Sequence, residues 1–186
     1  MARRSPGSSK SAKASQGKSL LEIFVLRHGE AGVRVDEPEK DDARSLTREG
    51  RTEIEAIASS LSGLGVELDL VVTSPLPRAV QTAEIVARQF KVLNKLEQWG
   101  ELKPLGEAES VYRRLSLQKA GLSLLMVGHE PQLSGMIGEI VAGNSHVNLI
   151  LKKGGLAKVE LLGFKPRITG ELRWLLTPRL MKKARK

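Results

Sequence analysis

The chain has 186 residues, of which 40% are hydrophobic, 27% are charged and none is cysteine. This length and composition fit one globular domain, and the lack of cysteine excludes disulfides and thiolate chemistry. The formal net charge is +9, but residues 1–18 and 179–186 each contain five basic residues and no acidic one. The remaining chain has 20 basic against 21 acidic residues, so we expect no nucleic-acid partner.

The basic ends define the expected domain boundaries. We predict a disordered basic tail at residues 1–18, a folded domain at residues 19–178 and a basic C-terminal tail at residues 179–186. No apolar run approaches the roughly 18 residues that would cross a bilayer, and no apolar stretch of a signal peptide precedes Ser19. These features favour a cytoplasmic protein without a membrane partner.

The first half of the chain alternates strands and helices. The apolar run Leu21 to Leu26 predicts a buried strand, and residues 32–46 are polar and aperiodic, as in a loop. Thr47 is a candidate N-cap for a helix, and residues 69–73 predict a second strand. A helix that begins near Pro77 follows this strand.

The second half starts with the same alternation and then loses its helices. We predict a short strand at residues 92–97, a helix at 107–119, a strand from Leu122 to Val127 and a further helix. Residues 146–151, 156–162 and 171–176 predict three late strands without helices between them. The fold class is therefore α/β: a three-layer sandwich with a mostly parallel central sheet flanked by helices, and antiparallel strands towards the C-terminus.

Polar side chains follow three of the predicted strands. Arg27 and His28 come after the first, Arg78 after the second and His129 after the third. Parallel strands bring these junctions to one edge of the sheet, where ligands bind. Guanidinium groups bind phosphoryl oxygens, and imidazoles supply a nucleophile or a hydrogen-bond donor. The residues predict a phosphate site, and no metal-ligand spacing accompanies it, so we expect no metal and no cofactor.

Several motifs in this order resemble the histidine phosphatase superfamily, which has the phosphoglycerate mutase-like fold. They are Arg27-His28-Gly29, Ser74-Pro75 with Arg78 and Gln81-Thr82-Ala83, and Gly128-His129. Within the superfamily the chain looks like the small phosphohistidine phosphatases, through Asp41 to Gly50, Val127 to Pro131 and Leu151 to Ala157. The resemblance covers roughly residues 21–178.

The resemblance implies a catalytic role for each of the four site residues. His28 would attack phosphorus and become a phosphohistidine that water then hydrolyses. Arg27 and Arg78 would hold the transferred phosphoryl group, and His129 would donate to one of its oxygens.

One residue of the family pattern is absent. Other branches have a Leu-x-Glu whose glutamate protonates the leaving group, whereas this chain has Leu102-Lys103-Pro104. Glu30, Glu101 and Glu107 are candidate substitutes that the spacing does not distinguish. A site without a dedicated acid suits an imidazole leaving group better than an alkoxide. We therefore expect cleavage of phosphohistidine in a protein, such as a phosphotransfer domain.

Other interpretations stay open at this point. The chain could be a phosphatase for a small phosphorylated substrate, or a non-catalytic phosphate-binding module. Arg44 could contact phosphate or form a surface salt bridge, while Lys152, Lys153 and His146 are expected to have no catalytic role.

Overall fold

A computed structural model describes residues 20–184, and the predicted disordered tail at residues 1–18 lies outside them. The strands are β1 (Leu21–Arg27), β2 (Leu70–Thr73), β3 (Leu96–Gln98), β4 (Leu122–Gly128), β5 (Leu156–Gly163) and β6 (Thr169–Leu176). The helices are α1 (Pro38–Asp42), α2 (Arg48–Gly63), α3 (Pro77–Gln89), α4 (Ala108–Ser116), α5 (Gln132–Ala142) and α6 (Pro178–Ala184). Short 3₁₀ turns lie at Leu93–Lys95 and Gly100–Leu102.

The six strands form one mixed sheet in the order β3-β2-β4-β1-β5-β6. β4 pairs in parallel with both β1 and β2, and β3 pairs in parallel with β2. β5 is antiparallel to β1, and β6 is antiparallel to β5. The mostly parallel sheet with late antiparallel strands is confirmed.

Alternate residues of the central strands supply two cores. On β1, Ile23 and Val25 face a core that includes residues of α4 and α5. Phe24 and Leu26 face a second core with residues of α2, α3 and α6. The helices therefore cover both faces of the sheet, as the α/β prediction requires. Within residues 20–184, no helix has both the length and the apolar character of a membrane span.

Three segments differ from the sequence-based expectations. Residues 92–97 were predicted as a strand, but residues 93–95 form a 3₁₀ turn and β3 begins at Leu96. Residues 32–46 were predicted as a loop, but they contain the short helix α1. Residues 146–151 were predicted as a strand, but they pair with no strand of the described chain. The physical reason is that β5 occupies the side of β1 away from β4, while Val147 and Ile150 stay 39% and 76% exposed. The segment packs on the core as a loop through Leu151, which is 1% exposed.

The C-terminal segment also differs from its expected form. Residues 179–186 were predicted as a basic tail, yet α6 extends to Ala184 and packs on α2. Met181 is 1% exposed, and the Ser60 hydroxyl donates to its carbonyl over 3.0 Å. Pro178, the first residue of α6, is also buried, so two apolar residues attach this basic helix to the rest of the fold.

Removal of the buried part of Met181 should destabilise the protein. We expect Met181→Ala to lower the free energy of unfolding by about 2–4 kcal/mol, because it leaves a cavity between α6 and α2. The neighbouring Leu180 is 52% exposed, so Leu180→Ala should change stability by no more than about 0.5 kcal/mol. Urea unfolding checks both variants, and equal effects would show that α6 is not attached through Met181.

Candidate active site

The ends of β1, β2 and β4 meet at one edge of the sheet. Arg27 is the last residue of β1 and lies opposite Gly128, the last residue of β4. The backbone N–H of His28 donates to the Gly128 carbonyl over 3.1 Å, and that of Ser74 donates to the Val127 carbonyl over 3.0 Å. This register places the residue after each strand beside the residues that follow the other two.

The four side chains predicted from the sequence line one cavity of about 220 Å³. Its other lining residues are Gly32, Arg34, Asp41, Arg44, Pro104, Glu130 and Lys153. Five of the lining side chains are cationic and two are carboxylates, so the cavity is suited to an anion. Arg34, Asp41 and Lys153 were not assigned to the site from the sequence. Arg34 gave no motif signal beyond its charge. Lys153 lies in the Leu151 to Ala157 motif, but a solvated charge is the default beside a glycine turn.

His28 is oriented by the backbone next to it. Its Nδ1 lies 2.7 Å from the carbonyl oxygen of Gly29, and because a carbonyl only accepts, Nδ1 carries the proton of the neutral ring. Nε2 is then unprotonated. The pKa of His28 is lowered from 6.5 to about 4. Burial is the main cause; the Gly29 hydrogen bond opposes it, and the positive charges of Arg78 and Arg27 add to it.

His129 packs against His28, with their ring centroids 4.9 Å apart. The pKa of His129 is lowered to about 3. Burial is the largest cause, and the charges of His28 and Arg78 are the next largest. Both rings are therefore neutral at pH 7, so each has one nitrogen with a proton and one without.

Ser74 contacts one ring nitrogen of His129. Its Oγ lies 2.8 Å from His129 Nε2 and accepts from the N–H of Leu76 over 3.3 Å. A hydroxyl can both donate and accept, so this contact is compatible with either tautomer of the neutral ring. The proton of His129 is on Nδ1 when the Ser74 hydroxyl donates to Nε2. Ser74 lies in the Ser-Pro motif, but no role was predicted for its side chain.

The two arginines are held by carbonyl groups and keep free donors. Arg27 Nη1 donates to the Leu151 carbonyl over 3.0 Å, and Arg78 Nη1 donates to the Asp41 carbonyl over 2.8 Å. Across residues 20–184, Arg27 Nε, Arg78 Nε and His129 Nδ1 are buried and have no hydrogen-bond partner. Unpaired buried polar atoms of this kind are rare in folded proteins, and the two guanidinium donors among them indicate a site for an acceptor.

Arg44 forms the salt bridge that was one of its two sequence-based interpretations. Its Nε lies 2.9 Å from Asp41 Oδ1 and its Nη2 lies 3.2 Å from Asp41 Oδ2. The Arg44 guanidinium is the main cause that lowers the pKa of Asp41. Arg44 nevertheless lines the cavity, so the interpretation as a phosphate contact stays a prediction.

The candidate substitutes for the absent acid lie outside this cavity lining. Glu30 binds Lys153 at 2.8 and 2.9 Å, and this hydrogen bond lowers the pKa of Glu30. Glu101 pairs with Arg114 at 3.2 Å, and Glu107 accepts from the Ser110 hydroxyl. Glu130 lines the cavity, but its two oxygens accept from the backbone N–H and the hydroxyl of Ser134. Pro104, at the position of the family acid, also lines the cavity.

Comparisons with known proteins agree with this geometry. Residues 23–113 match the model of the histidine phosphatase superfamily, branch 1. The phosphohistidine phosphatase SixA of Escherichia coli is 30% identical over 127 residues, which are 67% of this chain and 77% of that protein. An uncharacterized protein of Picosynechococcus is 35% identical over 73% of this chain and 82% of its own length.

A solved structure agrees with the sequence relatives. The protein histidine phosphatase SixA complexed with tungstate has a TM-score of 0.74 and 28% identity, covering 85% of this chain and 97% of that one. The chain belongs to the histidine phosphatase superfamily, in the branch that contains SixA. It is accordingly a phosphatase, and the family predicted from the motifs is confirmed.

The two buried histidines should make the stability of the protein depend on pH. The pKa values of His28 and His129 lie below 6.5 in the folded state, so on acidification both rings become protonated in the unfolded chain before they do in the folded protein. The stability that the two neutral rings contribute is complete above pH 6.5. It is lost as the pH falls towards 4 and 3, by up to about 1.4 kcal/mol per histidine and pH unit. Urea unfolding between pH 7 and pH 4 measures this slope.

The matched control is the His28→Gln, His129→Gln double variant, in which the carboxylates titrate as before. Its stability should depend less steeply on pH than that of the unsubstituted protein. Equal slopes would contradict the neutral state of the two rings.

Proposed function

We propose that the protein removes phosphate from phosphohistidine in a protein substrate, without a metal, through a phosphohistidine formed on its own His28. The observation that carries this proposal is the hydrogen bond from His28 Nδ1 to the Gly29 carbonyl. It leaves Nε2 of a neutral ring as the nucleophile in a small cationic cavity.

The first step exchanges one P–N bond for another. His28 Nε2 attacks phosphorus in line, the bond from phosphorus to the substrate imidazole breaks, and the phosphoryl group passes to Nε2. When the other ring nitrogen of the substrate carries a proton, the substrate leaves as a neutral imidazole. Water then attacks phosphorus and releases inorganic phosphate, which regenerates His28.

The free donors of the cavity supply the stabilisation that phosphoryl transfer needs. The transferred group spreads negative charge over its oxygens, and its catalysis depends on positioning and charge neutralisation. Arg27 and Arg78 would bind these oxygens, and His129 would donate to them from Nδ1. The buried, unpaired nitrogens of all three residues support these roles. The tungstate bound to the related SixA structure, a tetrahedral oxyanion, supports them further.

Ser74 would act as a positioning residue for His129. If its hydroxyl donates to His129 Nε2, then Nδ1 is the protonated nitrogen and can donate to the phosphoryl group. The neutral ring would otherwise have a second tautomer with its proton on Nε2, which offers no donor at Nδ1.

The carboxylates of the cavity support cleavage of P–N over P–O bonds. Asp41 is held by Arg44, and Glu130 accepts two hydrogen bonds from Ser134, so neither is set up to give a proton to a leaving group. An alkoxide gains much from such a proton, whereas a neutral imidazole leaves without it.

The size of the cavity supports a protein substrate. Pockets that enclose small-molecule ligands usually measure about 300–1,000 Å³, and this one measures about 220 Å³. It has room for a phosphoryl group while the rest of the substrate stays at its mouth. A phosphotransfer domain, which presents a phosphorylated histidine on its surface, is the partner we propose. The cytoplasmic location expected from the sequence stays a prediction.

His28→Ala should abolish both the labelled phosphoenzyme and the release of phosphate, because it removes the nucleophile. The exposed His146 provides the matched control, since His146→Ala should keep both. Rapid quenching at alkaline pH with a ³²P-labelled phosphohistidine protein measures the label. Label retained in His28→Ala would refute the assignment of the nucleophile.

The unsubstituted protein should prefer phosphohistidine to phosphate monoesters. We expect kcat/KM for a phosphohistidine protein to exceed that for phosphoserine by roughly 10²-fold or more, because the serine alkoxide lacks a proton donor here. Steady-state release of phosphate from each substrate is the measurement. Comparable values would favour a small-molecule phosphatase instead.

Glu130→Gln tests whether a hidden general acid operates. Glutamine keeps an acceptor for the Ser134 N–H, so we expect phosphohistidine hydrolysis to change by less than about tenfold. Loss of a true general acid would lower the rate by about 10²–10⁴. Glu30→Gln, which removes a carboxylate at the edge of the site, serves as the comparison.

A further inference from the structure

A second concave surface adjoins the phosphate cavity. It has a volume of about 900 Å³ and lies between α6 and the loop before β5. We call it the basic groove and define it by its cationic residues, which are Arg27, Lys152, Lys153, Arg179, Lys182 and Lys183. The groove also contains two carboxylates, Glu30 and Glu53.

The groove has a surplus of positive charge that the protein does not neutralise. Lys153 pairs with Glu30 at 2.8 Å, and Lys182 pairs with Glu53 at 2.7 Å. The three exposed cations Lys152, Arg179 and Lys183 form no ion pair with any residue between 20 and 184. Because the chain between the two basic ends is nearly neutral, this local surplus stands out as a feature of one face.

The groove and the phosphate cavity are continuous. Arg27 and Lys153 line both of them. A substrate whose phosphoryl group enters the cavity would therefore extend its neighbouring residues over the groove.

The groove is a fixed part of the fold on the side of α6. Met181 is buried against α2, and the Ser60 hydroxyl donates to its carbonyl. The Lys182–Glu53 ion pair adds a contact between the same helices. Cations held on an anchored helix lose little conformational freedom when a partner binds, which favours association.

We propose that the basic groove docks an acidic surface of the phosphoprotein substrate and so determines which phosphohistidine the enzyme reaches. The inference rests on the proposed function. Two other anionic partners fit the groove less well. It has no aromatic side chain on which a nucleic-acid base could stack. Its concave form also does not suit a lipid surface. Complementary charge at the rim of a site acts mainly on the rate of association and on partner choice.

Two synthetic phosphohistidine peptides, one flanked by glutamates and one by lysines, test the proposal. The test variant is Lys152→Glu, Arg179→Glu, Lys183→Glu, none of which contacts the proposed reacting groups. The unsubstituted enzyme should prefer the glutamate-flanked peptide in kcat/KM by roughly tenfold at low salt, and the variant should lose or reverse this preference. Hydrolysis of phosphoramidate, which has no flanks, should stay the same in both proteins.

A matched control keeps the total charge equal. Lys95, Lys119 and Lys165 are exposed and lie near the opposite edge of the sheet, before β3, before β4 and after β5. Lys95→Glu, Lys119→Glu, Lys165→Glu should keep the preference of the unsubstituted enzyme. An equal loss in both triple variants would mean that net charge, not the groove, selects the peptide, and would overturn the proposal.

Direct binding separates the docking surface from the chemistry. Fluorescence anisotropy with the unphosphorylated glutamate-flanked peptide should show roughly tenfold weaker binding to the test variant than to the control variant. This measurement also applies if the test variant loses its turnover, or if neither the unsubstituted enzyme nor its variants hydrolyse phosphohistidine. In the second case the proposed function fails, but peptide binding still tests whether the groove is a docking surface. Equal peptide binding overturns the groove, as does a result in which the test substitutions weaken binding only to phosphatidylglycerol vesicles or to single-stranded DNA.

Discussion

The in-register parallel pairing of β4 with β1 and β2 is the constraint on which the site depends. Arg27 lies opposite Gly128 and Thr73 opposite Val127, so the three strands end at the same level. The residues that follow β1 and β4, His28 and His129, therefore line the cavity without a long loop to place them. A slip of one residue in either pairing would turn the side chains to the other face of the sheet. Such a slip would expose the apolar residues of both cores, so it is unfavourable. Packing in the cores thereby fixes the strand register and with it the positions of the two histidines.

Electrostatics in the cavity follows from this close placement. Two imidazoles lie next to each other between guanidinium groups, and protonation of either would add a positive charge where several already exist. Burial and these charges keep both rings neutral. The same surplus of charge that suppresses protonation attracts an anionic phosphoryl group. A single arrangement thus leaves an unprotonated imidazole nitrogen in a cavity that favours anions, and these are the two features that the proposed function requires.

Much of the fold and the four central site residues could be predicted from the sequence, because strand ends and helix starts have local signals. The N-cap Thr47 is one such signal, and its hydroxyl accepts from Gly50 as expected. The failures share a cause in tertiary structure. The segment at residues 146–151 has the composition of a strand, but β5 takes the position beside β1 and the segment packs on the core as a loop through Leu151. The described buried apolar residues of α6 are Pro178 and Met181, too few to give a periodic pattern. Lys153 enters the site only because β5 returns to β1.

Ser74 shows what a transfer of this site to another scaffold would require. A designer who copied the two arginines and the two histidines would reproduce the charges and the shape of the cavity. The copied His129 ring would nevertheless lack a partner at Nε2. In this protein the buried Ser74 hydroxyl lies 2.8 Å from that nitrogen, and in the role proposed for it this hydroxyl keeps the proton on Nδ1. The smallest portable unit is therefore five side chains at or shortly after three adjacent strand ends, and the proposed task of the fifth is to locate one proton.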